Sequence, residues 1–166
     1  MNKDAILAII WAAVGAILAS FGGFMGEVLN IFMQNKRERT YIIISLDDEL
    51  TEIIDIISKF SETFENSGNA NKKYIVDLSN SMSSFALHKN KLYLFKNYTL
   101  RRRITSFYKS LNNIISEDGS KVGTLAQTAE AKAEQREIVK KFKDIVTTAN
   151  SIKDSLTDKK TIIHTK

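Results

Sequence analysis

Lys89, Lys96 and Arg103 recur at seven-residue intervals, and on a straight helix that spacing brings all three to one side. Ile75, Leu78, Met82 and Phe85 define an apolar face that Leu100, Ile104, Phe107 and Leu111 resume, and Lys89 and Lys96 fall on it with Arg103 at its margin. Lysine is rarely buried without a partner. The pattern therefore has two outcomes: the helix breaks near His88, Asn90 or Asn97 and changes phase, or the apolar face opens into a basic cleft. The second outcome predicts an anionic-ligand site built from Lys89, Lys96, Arg103 and Arg102. Arg101, Arg102 and Arg103 are consecutive and sweep ~200° around a helix, so all three cannot grip one small ligand. Arg103 leads, and Arg102 points most nearly to solvent. Planar guanidinium donors with Tyr93, Tyr98 and Tyr108 nearby suit a phosphorylated ligand.

Other chemistry is poorly provided for. Asp47, Asp48, Glu49, Glu52 and Asp55 lack the glycine and the ligand spacing of a calcium loop, and read as a solvated helix start favoured by the helix dipole. His88 and His164 are the two histidines, and His88 reads as an exposed helix residue. With no cysteine there is no disulfide framework and no thiolate metal site. No glycine-rich phosphate loop and no serine in a nucleophile elbow occur, so neither an enzyme nor a cofactor or metal site is expected.

Charge is unevenly spread. Residues 47–65 hold seven acids against Lys59, and residues 72–109 hold nine bases against Asp77. Neighbouring helices of opposite sign attract each other. Asp48, Asp55 and Glu62 nevertheless lie on the back of their helix, so some bases should stay free. A net charge of +5 over a surface of mixed sign argues against bulk nucleic-acid binding.

The elements that must position these groups are helical throughout. The chain has no proline, and of its seven glycines only Gly68, Gly119 and Gly123 lie beyond residue 26. From Tyr41 to Phe64, Leu46, Leu50, Ile53, Ile57, Phe60 and Phe64 share one face. Ser45 followed by Asp48 resembles a capping box, which allows a break after the apolar run Ile42–Ile44, or a short strand over that run. Asn66-Ser67-Gly68-Asn69-Ala70-Asn71 is a turn where the chain doubles back. Residues 72–116 would make a helix about 65 Å long if unbroken. Glu117–Gly123 is a loop, and Thr124 with Gln127 caps the last helix, whose seam is Ile138, Phe142, Ile145, Ala149, Ile152 and Leu156.

Ahead of these lies Ala5–Met33, which carries no charge from Ala5 to Gly26. A membrane span needs roughly 20 such residues. Ala5, Ala8, Ala12, Gly15, Ala19, Gly22 and Gly26 form a seam of small residues on which helices approach closely in lipid, and Ala13, Ala16, Ser20 and Gly23 form a second stripe about 90° away. Two contact faces predict a ring of three to five subunits, with Ala8, Ala12, Gly15, Ala19, Gly22 and Gly26 as its oligomerisation seam. Lys36, Arg37 and Arg39 follow the span, which by the positive-inside rule places the rest of the chain in the cytoplasm. The competing reading is a signal peptide cleaved near Ala16 or Ala19, against which the weakly basic start and the apolar sequence beyond that site both count.

The fold expected is all-α: a single transmembrane helix with its interfacial extension (1–35), continuing into a cytoplasmic three-helix or four-helix antiparallel bundle (36–157), then a frayed tail (158–166) in which Ile162 and Ile163 dock. The function expected is a homo-oligomeric effector in the bacterial inner membrane whose bundle senses an anionic, nucleotide-like ligand and acts on the bilayer. By architecture alone this plan is similar to that of small bacterial antiviral membrane effectors, including those gated by cyclic oligonucleotides. The alternative is a membrane-tethered scaffold or assembly subunit that binds another protein.

Overall fold

A computed structural model describes residues 3–68, 71–122 and 129–164, with side chains for 11–68, 71–122 and 129–158. It is all-α, as the patterning predicts, and holds no strand among the described residues. The order is α1 (Lys3–Ser67), α2 (Lys72–Ser81), α3 (Ser83–His88), a 3-10 turn (Lys89–Leu94), α4 (Tyr98–Asn113), a π turn (Ile114–Asp118), a second 3-10 turn (Gly119–Lys121) and α5 (Ala129–His164). Two compact units divide the chain, Met1–Glu38 and Arg39–Lys166.

In the first unit the described side chains find no core. Trp11, Leu18, Phe21, Phe24 and Phe32 are all exposed, although this is the one stretch of the described residues long and apolar enough to cross a membrane. Hydrophobic residues all around a helix leave no face for water.

The second unit has a single continuous core. On its α1 segment Leu46, Leu50, Ile53, Ile57, Phe60 and Phe64 are buried, as predicted, while Asp48, Asp55 and Glu62 face solvent. The helix runs unbroken through Ile42–Ser45, because Ile42 and Ile43 join the same buried face and leave no reason to unwind. It ends at Gly68, whose φ of +67° is open to glycine without strain and whose N–H donates to the Phe64 carbonyl at 2.7 Å. Asn71 then caps α2, its side-chain oxygen accepting from the Lys73 N–H at 2.9 Å.

Between α2 and α4 the long helix does not form. The chain leaves α-geometry at Met82, tightens into 3-10 geometry from Lys89, and becomes extended at Phe95 and Asn97. There the Asn97 side chain accepts from the Leu100 N–H at 3.0 Å and restarts the helix. These breaks change the phase, so Phe95 and Leu92 turn inward where a straight helix would have carried Lys89 and Lys96.

All six residues of the predicted α5 seam are buried. Phe142 meets Phe60 edge-on, with ring centroids 5.4 Å apart. Lys153 donates to Thr51 at 2.6 Å and Lys143 to Glu65 at 2.7 Å, which sets α5 antiparallel to this part of α1. Contacts from Arg103 to Ser151 and Ser155, and from Lys141 to Asp118, set α5 antiparallel to α4 as well. Glu117–Val122 is wound rather than open: Asp118 is buried against Lys141, 2.8 Å away, and Gly119 lies so close to α2 that a Cβ there would sit 2.8 Å from Ile75 Cγ2. The Thr124–Gln127 cap lies outside the described residues, as do the side chains of the 158–166 tail beyond Asp158, Ile162 and Ile163 included. The α5 backbone is helical through His164, where a frayed end was the expectation.

Candidate anion site

The phase change separates the cations that a straight helix would have aligned. Lys89 is exposed at the start of the first 3-10 turn, and Lys96 is exposed in the extended stretch before α4. Arg103 is half-buried on α4 with its two terminal nitrogens on α5, donating to Ser151 Oγ at 2.6 Å and Ser155 Oγ at 3.3 Å. Arg102 faces solvent, and the Arg101 guanidinium lies over the exposed Tyr98 ring, 5.4 Å from its centroid. Arg102 and Arg103 line one small groove between α4 and α5 with Phe107 and Thr148, of about 270 Å³, and Lys89 lines another. The structure does not bring Lys89, Lys96 and Arg103 to one cleft.

The groove at Lys89 is the better furnished. Of about 520 Å³, it runs between α3 and α4, with Phe85 and Tyr108 in its floor and Lys89, Asn90, Lys109 and Asn112 on its walls. The two rings are stacked, 4.0 Å between centroids and 6° from parallel. Two ammonium groups and two side-chain amides around an aromatic floor can take a planar group carrying negative charge. Lys109 and Asn112 fall on the same face of α4 as Thr105, one turn apart each, which is the signal from which they could have been read.

Glu49 holds this groove in place. It is buried, not solvated as the reading of residues 47–55 had it, and α1 does not begin there. Its carboxylate accepts from the backbone N–H groups of Ser84 at 2.5 Å and Phe85 at 3.2 Å, capping the first turn of α3 from across the core. The Tyr108 hydroxyl is buried beside it without a partner in hydrogen-bonding geometry. Burial, and after it the nearby Glu49 carboxylate, push the Tyr108 phenol well above its ordinary range. His88 is half-buried, its ring edge-on to Tyr41 at 5.5 Å, rather than exposed. Among the described residues no group of acids or histidines is arranged to hold a metal ion.

Two acids of α1 pair with lysines outside the basic stretch 72–109: Glu65 with Lys143, and Asp55 with Lys59 one turn on. Of the predicted oligomerisation seam, Ala12, Gly15, Ala19, Gly22 and Gly26 are exposed in the single chain, with nothing within 4 Å of where a Cβ would stand on the three glycines. The Ala8 side chain lies outside the described residues. Comparison with known proteins adds no relative: no family model, no curated protein and no solved structure matches the chain.

Proposed function

We propose that the chain is a membrane-anchored, homo-oligomeric effector. Its first unit spans a bacterial inner membrane once and self-associates through the small-residue seam. Its second unit is a cytoplasmic antiparallel helical bundle that senses an anionic, nucleotide-like ligand in the Lys89–Lys109 groove. The observation that carries this reading is the contrast in burial: the second unit closes its own core, whereas the described part of the apolar stretch in the first unit buries none of its side chains. Water penalises such a surface by about 25 cal/mol per Å² of apolar area, and lipid does not. That α1 supplies residues to both units supports a response passed from the ligand groove to the anchor. The scatter of Lys89, Lys96 and Arg103 favours a second reading, the membrane-tethered scaffold.

The test uses the full chain. It should sediment with membranes and resist carbonate extraction, and in detergent it should have the mass of three to five subunits by light scattering. Leucine at Gly15, Ala19 and Gly22 together should disperse that oligomer. Titration with mononucleotides and cyclic dinucleotides should show binding that Lys89→Glu with Lys109→Glu abolishes, the helical circular-dichroism signal being retained. Carbonate-extractable protein rejects the anchor. Membrane-bound protein that takes none of these ligands rejects the sensor and leaves the scaffold.

A further inference from the structure

Lys132, Arg136 and Lys140 recur at four-residue intervals on α5, each ~6 Å further along the axis, and Lys143 follows on the next turn. Like charges four residues apart destabilise a helix. Among the described residues the one carboxylate on the lining of the cleft they share is Glu65, and it is already bonded to Lys143 at 2.7 Å. Among the described residues Lys132, Arg136 and Lys140 have no acidic partner, and all three are exposed. They are not scattered on open surface. Together they line a cleft of about 580 Å³ closed on its far side by Phe64 and Gly68 at the end of α1. Gly68, with φ of +67°, adds no side chain to that lining.

From this juxtaposition we infer that the cleft between the end of α1 and α5 is a binding site for a compact polyphosphate, separate from the Lys89–Lys109 groove. Among the described lining residues, four cations against one acid leave an excess of three positive charges, more than a monoanion needs. The volume, about 580 Å³, lies in the range of small-ligand sites. Lys132 and Lys140 stand ~12 Å apart along the axis on either side of Arg136, a gap that flexible lysine stems can narrow, and Arg136 supplies a planar fork for two phosphate oxygens. Inorganic triphosphate and a nucleoside triphosphate share this chemistry.

Isothermal titration calorimetry of the full chain in a nonionic detergent, without divalent cation, tests the site with tripolyphosphate and with ATP. Arg136→Gln with Lys140→Gln should weaken tripolyphosphate at least tenfold and leave the helical signal and thermal midpoint in place, since both positions are exposed and glutamine is a good helix former. Lys72→Gln with Lys73→Gln removes the same charge outside the cleft and should change affinity less than twofold. Equal affinity for both probes assigns the site to the phosphates alone, and tighter ATP adds the nucleoside. No binding of either probe, or equal weakening by the two double variants, overturns the site. Binding lost only in Lys89→Glu with Lys109→Glu also overturns it, while leaving the groove of the proposed sensor standing.

Discussion

Phe21 and Phe60 belong to the same helix, yet the first is 66% exposed and the second not at all. The difference lies in their neighbours along the chain. Around Phe60, apolar residues keep to a stripe and Asp55, Lys59 and Glu62 occupy the rest, so one face packs and the other dissolves. Around Phe21 nearly every position is apolar or small, and no stripe is singled out for an intramolecular partner. A helix of the first kind makes a core, and one of the second kind needs a medium or a copy of itself.

The largest expected effect breaks or sharpens that contrast directly. Phe60→Ala removes a ring that packs edge-on to both Phe142 and Tyr74, and should lower unfolding stability by about 3 to 5 kcal/mol. Phe21→Ala should change it by less than about 0.5 kcal/mol. Urea unfolding of the detergent-solubilised chain, followed by circular dichroism, measures both. A comparable loss in the two variants would show that Phe21 packs into the same cooperative unit.

A second pair contrasts neighbours one residue apart. Glu49 is 4% exposed and accepts from two backbone N–H groups, whereas Asp48 faces solvent. Glu49→Ala strands those donors and should cost about 2 to 3 kcal/mol. Asp48→Ala should stay within about 0.5 kcal/mol. Equal effects would mean that the α3 turn finds other acceptors when the carboxylate is gone.

These two acids also mark what could be read from the sequence and what could not. Leu46 to Phe64 and Ile138 to Leu156 announce themselves because burial on a helix imposes a local period, visible within any two turns. Glu49 cannot be told from Asp48 that way, since its partners lie 35 and 36 residues along the chain. The register of 72–116 was legible only as a conflict: lysines on an apolar face demanded either a break or a cleft. The breaks at Met82, Lys89 and Asn97 resolve it, and with the phase goes the single stripe of Lys89, Lys96 and Arg103. The groove that Lys89 does line is set by Phe85 and Tyr108, which meet only because those breaks turn α3 back onto α4. Nothing periodic encodes that meeting.

Asn97 and Asn90 test the breaks themselves. Asn97 caps α4, so Asn97→Ala should cost about 1 kcal/mol. Asn90 sits exposed within the 3-10 turn and caps nothing, and Asn90→Ala should be close to neutral in the same urea titration. If the two cost the same, α4 does not depend on its cap, and the break at Asn97 is fixed instead by the burial of Phe95.

Tyr108 and Tyr98 give the smallest effect at neutral pH and the most informative pH dependence. Tyr98 is 67% exposed, while Tyr108 is 3% exposed with its hydroxyl unpaired beside Glu49. Removing an unpaired buried hydroxyl leaves the Phe85 stack intact, so Tyr108→Phe should be neutral or slightly stabilising at pH 7. At high pH the balance changes. Burial, and after it the neighbouring Glu49 carboxylate, raise the folded phenol above the value near 10 that it has in the unfolded chain. Below that value both states keep the proton and stability has no slope from this residue. Above it the unfolded chain releases the proton while the folded chain retains it, so the unfolded state binds fewer protons and stability falls as pH rises, by up to ~1.4 kcal/mol per unit. Tyr108→Phe should therefore flatten the decline measured between pH 10 and 11.5, and Tyr98→Phe should not. Parallel declines for wild type and Tyr108→Phe would show that the phenol ionises freely, which requires the Phe85–Tyr108 floor of the groove to open to water.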